Sequence, residues 1–299
     1  MAISPMMQQY LEIKEAHKDA VLFFRLGDFY EMFFEDAVEM SRELELTLTG
    51  RDCGLSERAP MCGVPYHAVD MYIAKLVAKG YKVAICEQMT DPADSKGLVE
   101  RAVTRIITPG TVIEAALLDE RSSSYILSVV LKKDRAGMAF CDLSTGEFYA
   151  HEFSGAAQSL SDELSRIDPR EVLTDDPDAL TRLGVPGGAS VTRLDEGYFE
   201  YASASKALFS HFSVKNAAAL GLEGLRLSVE AAGALMRYLT ETQKNALSHI
   251  LAVKRYERDL CMQIDRVAAA SLELTQTLRG RRAGSLLWLM DKAETAMGS

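Results

Sequence analysis

The sequence is short of the features that mark secreted, metal-bound and membrane proteins. Its five cysteines (Cys53, Cys62, Cys86, Cys141 and Cys261) are odd in number and form no Cys-x-x-Cys pair. That argues against a disulfide framework or a zinc site and for reduced thiols in a cytoplasmic protein. The five histidines are scattered. No window approaches the roughly 18 uncharged apolar residues of a membrane span, and Met1-Ala2-Ile3-Ser4 lacks the charged leader and apolar core of a signal peptide. Nucleotide and hydrolase motifs are missing too: there is no Gly-x-x-x-x-Gly-Lys-[Ser/Thr] loop, Gly-x-Ser-x-Gly, His-Glu-x-x-His or Cys/His nucleophile pairing. No catalytic residue, no metal and no cofactor are therefore expected within this chain. Positive charge is also short. The net charge is −10, and residues 1–120 hold 12 Lys and Arg against 20 Asp and Glu. A phosphate-gripping surface is normally basic, so charge alone speaks against nucleic acid.

What is present is an ordinary globular composition, 48% hydrophobic and 25% charged, in 299 residues. This is enough for two domains and a remainder. Ser4-Pro5 reads as a helix start, with Met7, Tyr10, Leu11 and Lys14 at helical spacing as far as about Asp19. Val21-Leu22-Phe23-Phe24 is apolar enough for a buried strand, and Gly27 breaks it. Beyond Gly27, the set Phe29, Phe33, Ala37, Met40 and Leu44 steps by four, four, three and four, which predicts one helix face. Leu46 to Thr49 alternates as a short strand, Gly50 to Pro60 reads as a polar loop, and Gly63 to His67 as a turn into a helix on Val69, Ile73, Leu76 and Val77. Strands follow at Tyr81 to Cys86 and Val103 to Ile107, separated by a polar connection at Asp91 to Gly97. Thr108-Pro109-Gly110-Thr111 turns the chain.

A second unit starts at the Ser122-Ser123-Ser124 patch. Strands are predicted over Tyr125 to Leu131, Gly137 to Asp142 and Glu147 to Phe153, with Ser144-Thr145-Gly146 as hairpin chemistry. Alternating helix and strand follow: Leu160 to Ile167, Glu171 to Leu173, Asp178 to Leu183, a loop over Gly184 to Gly188, then Ser190 to Leu194. Three antiparallel strands followed by alternating elements suggest a mixed sheet of RNase H-like type. A long amphipathic helix over Val229 to Leu247 closes the unit. His249 to Tyr256 reads as an extended linker, with helical stretches at Leu260 to Leu278 and Ser285 to Ala296. Leu286, Leu287, Trp288 and Leu289 are apolar all round and call for partners the chain does not contain, so the chain is expected to be part of a longer protein.

Beside Arg279-Gly280-Arg281-Arg282, which reads as a solvated loop or as a contact for phosphates or an acidic partner, three places carry candidate chemistry. Phe29 and Glu31 sit two apart after Gly27. As local structure they read as a core position and, with Asp28, a helix capping box. As function, an exposed ring there is a wedge that unstacks a base step, and the carboxylate is a partner for a base edge. Tyr66-His67 reads as a turn packed on a helix start or as a supporting site. Asp142 is a candidate metal carboxylate for a nuclease, but its place before the hairpin favours turn capping.

Gly27-Asp28-Phe29-Tyr30-Glu31-Met32-Phe33 together with Pro60-Met61-Cys62-Gly63-Val64-Pro65-Tyr66-His67-Ala68 closely resembles the N-terminal domain of the bacterial MutS family of DNA mismatch-recognition proteins. Val83 to Gln88, Val99-Glu100-Arg101, Ile107 to Thr111, Asp142 to Phe148, Ser271 to Leu274, Gly284 to Leu287 and Thr295 to Gly298 match in the same order. Ser271 stands where the family pattern usually has Asn.

The resemblance implies an α/β mismatch-binding domain with a mixed sheet over 1–115, an RNase H-like α/β connector over 116–248, and the start of an all-α core over 249–299. It implies that Phe29 stacks at a mispair in duplex DNA and that Glu31 bonds a mispaired base, with Tyr66 and His67 as candidate supporting residues beside them. MutL is the implied partner of the connector. ATP and Mg, the clamp and homodimerisation belong to the intact family member, with the fragment monomeric, binding DNA weakly and hydrolysing no ATP. Two other readings stay open: a metal-dependent nuclease built on the RNase H-like unit, and a DNA-junction-binding relative of the same family.

Overall fold

The computed structural model describes residues 3–54, 57–89, 99–112, 124–183, 188–244, 247–256, 262 and 264–293. The chain divides into two compact units, one formed by residues 1–117 and 239–247 and the other by residues 118–238 and 248–299. The predicted polar connection at 91–97, residues 122 and 123 of the serine patch, and residues 184–187 of the predicted loop lie outside the described residues.

The first unit opens with α1 (Pro5–Ala16) and builds its sheet from β1 (Val21–Leu26), β2 (Phe29–Phe33), β3 (Thr49–Arg51), β4 (Ala59–Pro65), β5 (Val83–Gln88) and β6 (Arg101–Ile107), with α2 (Phe34–Glu43) and α3 (Val69–Ala78) between them. The strand order is β3-β4-β2-β1-β5-β6. Only β1 and β5 run parallel, and the other neighbours are antiparallel. Tyr10 and Met7 of α1 cover one sheet face in a cluster with Leu22, Phe24, Phe33, Ala84, Cys86 and Val103.

This corrects the helix expected from Gly27 onward. Phe29–Phe33 is a strand between β1 and β4, and the helix begins only at Phe34. Phe33 and Phe29 share one strand face while Tyr30 and Met32 are buried on the other. A step of four keeps one face in a strand as it does in a helix, so Phe29 and Phe33 fit both, and hydrogen bonds from two flanking strands decide. Phe34, at φ 54°, switches the chain from strand to helix without a loop. Two other expectations shift for the same reason. Part of the loop predicted over 50–60 belongs to β3 and β4, and Gly63 and Val64 complete β4 before a 3₁₀ turn over Tyr66–Ala68.

In the second unit β7 (Tyr125–Lys132), β8 (Arg135–Asp142) and β9 (Glu147–Ser154) form an antiparallel meander. Then come α4 (Ala156–Ile167), β10 (Glu171–Thr174), α5 (Pro177–Leu183), β11 (Ser190–Arg193), α6 (Tyr201–His211), α7 (Arg226–Gln243) and β12 (Lys254–Arg255). The order β11-β10-β7-β8-β9-β12, with β10 parallel to β7 and β11, is the mixed sheet anticipated for an RNase H-like fold. Leu160 and Leu164 of α4 join the cluster of Leu127, Val129, Met138 and Phe140 on one face. The start of α7 lies on the other. Gly137 allows this, because a Cβ there would come within 2.1 Å of the Leu227 carbonyl oxygen. The Glu152 carboxylate accepts from the Leu227 and Ser228 amides and anchors the helix.

Residues 249–256 are no free linker. Lys254–Arg255 pairs with β9, the Tyr256 amide donates to the Ala150 carbonyl, and His249 packs on the Gly146 turn with its Nε2 2.7 Å from the Leu143 carbonyl. The two long terminal helices are absent among the described residues and are replaced by α8 (Arg266–Ser271) and α9 (Leu286–Met290). Glu273, at φ 48°, closes α8 by donating its amide to Ala270, while Leu274 donates to Ala269. Trp288 and Leu289 stay half-exposed.

Asp142 does what its position suggested. One carboxylate oxygen accepts from the Ser144 amide at 2.9 Å and the Ser144 hydroxyl at 2.6 Å. Asp142→Ala is expected to lower the stability of the second unit by about 0.5–1.5 kcal/mol, the net contribution of a hydrogen bond whose donors, on exposed Ser144, can turn to water instead. A urea midpoint shift at constant slope checks this.

Buried thiols complete the picture. Cys53, Cys62, Cys86 and Cys141 are free and buried. Burial pushes the Cys62 thiol up to about 11 and the Cys86 thiol up to about 12. These side chains pack as small apolar groups and stay protonated.

Candidate nucleic-acid interface

The site grows from the hairpin joining β1 and β2. Leu26 pairs with Phe29, so Gly27 and Asp28 are the whole turn. Gly27, at φ 57°, supplies the left-handed first position that a two-residue hairpin of this kind requires. The turn is braced from β4, whose exit residue Tyr66 donates its amide to the Asp28 carbonyl at 2.9 Å. Side chains two apart on a strand share a face, so Phe29, Glu31 and Phe33 line up. α1 covers one end of that line only. Phe33 is buried edge-on against Tyr10 at 5.0 Å, whereas Phe29 projects past the helix, 47% exposed.

Glu31 lies between these extremes. Its carboxylate pairs with the guanidinium of Arg51 on β3, across the intervening strand β4. Gly63, opposite Glu31 on β4, makes room. A Cβ there would sit 3.4 Å from Glu31 Cγ and 3.1 Å from the Tyr30 carbonyl oxygen. A second guanidinium, that of Arg101 on β6, rests 5.1 Å from the centre of the Phe24 ring, and Phe24 is the β1 neighbour of Glu31. Arg101 donates to the Arg25 carbonyl, the Val99 carbonyl and Gln9 Oε1. Burial, and then the nearby Arg51, lower its pKa.

Tyr66 and His67 stand at the same corner, both exposed, with their rings edge-on at 5.8 Å. Arg25 stacks its guanidinium 4.1 Å from the Tyr66 ring centre and donates to the Gly27 carbonyl at 2.5 Å. Below it Tyr30 hydrogen-bonds Glu87, and burial followed by that bond pushes the phenol up. The structure thus brings Phe29, Glu31, Tyr66 and His67 to one hairpin end. It adds Arg25, Arg51 and Arg101, which the sequence reading did not single out. Arg51 lay in a presumed loop, and a whole-chain charge count cannot locate cations. On another part of this unit Glu35, Glu39 and Glu43 line a shallow groove along α2 with Phe34, Val38, Arg42 and Pro60. Among the described residues no three His, Cys, Asp or Glu side chains are placed to hold a metal ion, and no helix is long and apolar enough to cross a membrane.

Two mixed-sheet α/β units in series, the first raising an aromatic ring and an ion-paired carboxylate on a braced hairpin, define a modular α/β protein. Residues 4–116 match the family model for MutS domain I, and residues 124–251 match that for MutS domain II. The chain belongs to the MutS family. It is 48% identical over 304 residues to the DNA mismatch repair protein MutS of Ruminiclostridium cellulolyticum, covering 99% of this chain and 34% of that relative. The MutS protein of Acetivibrio thermocellus is 47% identical over 305 residues, covering 99% and 35%. That of Clostridium tetani is 46% identical over 303 residues, covering 100% and 34%. The chain therefore spans about a third of the length of the curated relatives it matches.

Proposed function

We propose that the first unit reads mispaired or unpaired bases in duplex DNA for mismatch repair. Phe29 enters the base stack as a wedge, and Glu31 hydrogen-bonds the base beside it. The observation that carries this reading is the hairpin itself, an exposed ring and a held carboxylate on one strand face, backed by a rigid core. Every base has a π-face, so the ring selects for steps that unstack cheaply, and a mispaired step yields more readily than a paired one. Tyr66 and His67 contribute supporting contacts at the same corner, with Arg25 stacked on Tyr66 as a nearby cation.

In a protein of the relatives' full length, the second unit serves as the connector that meets MutL. The remaining two-thirds supplies the wider phosphate grip, the ATP- and Mg-dependent switch and the homodimer contacts. An acidic chain is compatible with DNA reading because the wider phosphate grip belongs to the rest of a protein of the relatives' full length. The buried free thiols fit the reducing cytoplasm. Asp142, occupied by its turn, supports reading the second unit as non-catalytic.

The test uses a duplex carrying 2-aminopurine next to a G·T mispair, with the protein at the relatives' full length. Binding is expected to brighten the probe, because unstacking relieves its quenching, and to leave it dark in the matched duplex. Equal brightening in both duplexes would sink the reading.

A further inference from the structure

Arg51 has no role in the reading above, yet it is the charged group in direct contact with Glu31. The two strands that bear them are not neighbours. β4 runs between β3 and β2, and the ion pair crosses it diagonally, with Glu31 opposite Gly63, which carries no side chain, and Arg51 opposite Ala59. Of the two partners the carboxylate is the more enclosed, its side chain 14% exposed against 37% for Arg51. The other charged and titratable groups near it do not replace Arg51. Arg101, across Phe24, bonds two backbone carbonyls and Gln9. The Cys53 thiol, just beyond Arg51, is buried and pushed up by that burial. A partly exposed ion pair adds little to folding stability. What it does is fix a rotor: one carboxylate oxygen is taken by the guanidinium, and the other is left with a defined direction.

We propose that Arg51 is a positioning residue for mispair discrimination, holding the Glu31 carboxylate as an oriented acceptor for an N–H on the edge of a mispaired base. The proposal rests on the reading of Phe29 and Glu31 given above. It sharpens the ligand class: the favoured bases are those that turn a ring or amino N–H toward the protein, as thymine and guanine do with their ring N–H, because an ion-paired carboxylate accepts and does not donate. Binding to a carboxylate that is already immobile avoids the ordering cost of a free side chain, roughly a 2- to 12-fold gain in affinity.

The experiment measures affinities for a G·T duplex and its G·C counterpart with the protein at the relatives' full length. The proteins compared are wild type, Arg51→Met, Arg51→Gln, Arg51→Lys, Glu31→Ala, Phe29→Ala and the Arg51→Met/Glu31→Ala double variant. Arg51→Met and Arg51→Gln are expected to lower the mismatch-over-match ratio by roughly 2- to 12-fold, and Arg51→Lys to restore most of it. In the Glu31→Ala background Arg51→Met is expected to change the ratio no further, since a residue acting through its partner is not additive with it. A uniform loss on both duplexes, or additive effects in the double variant, would overturn the proposal and make Arg51 a phosphate contact. The underlying reading fails separately, if Glu31→Ala and Phe29→Ala both leave the ratio intact. Loss of the ratio in those two with no effect in either Arg51→Met or Arg51→Gln condemns the Arg51 role alone. If Arg51→Met does not fold, the Arg51→Gln and Arg51→Lys comparison decides.

Discussion

Phe29→Ala is expected to erase most of the preference for mismatched over matched DNA while leaving the fold untouched. Stacking a base on an aromatic side chain contributes about 1–3 kcal/mol, so the ratio of the two affinities should fall by roughly 5- to 150-fold. The ring is 47% exposed and, among the described residues, packs against no other aromatic ring, unlike Phe33, which is buried against Tyr10. Exposed positions of this kind shift folding stability by no more than about 0.5 kcal/mol. The unfolding midpoint should therefore stay in place while binding changes. A ratio within twofold of wild type, measured by anisotropy on paired duplexes, would remove Phe29 from the interface. Phe29→Trp, which keeps a large π-face, is expected to retain the preference.

Gly233→Ala is expected to destabilise the second unit by about 2 kcal/mol or more, against the direction that helix propensity suggests. Gly233 lies inside α7, where alanine is favoured over glycine by about 1 kcal/mol. The space decides otherwise. A Cβ at this position would lie 2.1 Å from the Ala204 carbonyl oxygen and 2.5 Å from Ala204 Cα. Those atoms are backbone of α6, so no rotamer change relieves the overlap and the two helices must separate. Overpacking of this kind costs about 1–3 kcal/mol and more where backbone must move, against a total domain stability of about 5–15 kcal/mol. Gly137→Ala meets the same obstacle at the Leu227 carbonyl oxygen. Urea unfolding of each variant checks both, and a midpoint at or above wild type for Gly233→Ala would mean that α6 and α7 yield more easily than their contact implies.

Much of the architecture was legible because local chemistry and tertiary structure agree. The Gly27 break, the hairpin chemistry at Ser144 to Gly146 and the apolar runs of β7 and β8 each specify a turn or strand whatever surrounds them. The order of the motifs was enough to indicate the family. Disagreement came where long-range pairing set the outcome. The stretch from Phe29 to Leu44 carries a helical period, yet its first five residues are a strand, because β1 and β4 offer hydrogen bonds on both sides. Arg51 looked like loop until β4 was seen to pair with it, and its contact with Glu31 spans a strand order that no local pattern encodes.

The division at the site follows the same physics. The sequence by itself determined that an aromatic and a carboxylate stand two residues apart behind a glycine, and that charge is scarce on the basic side. Only the tertiary structure decided that they share a strand face and not a helix stripe, that α1 stops short of Phe29, and that Arg51 holds Glu31. Exposure and ion pairing depend on what arrives from distant parts of the chain. Here those parts are α1, β3 and β4, packed around two residues of β2.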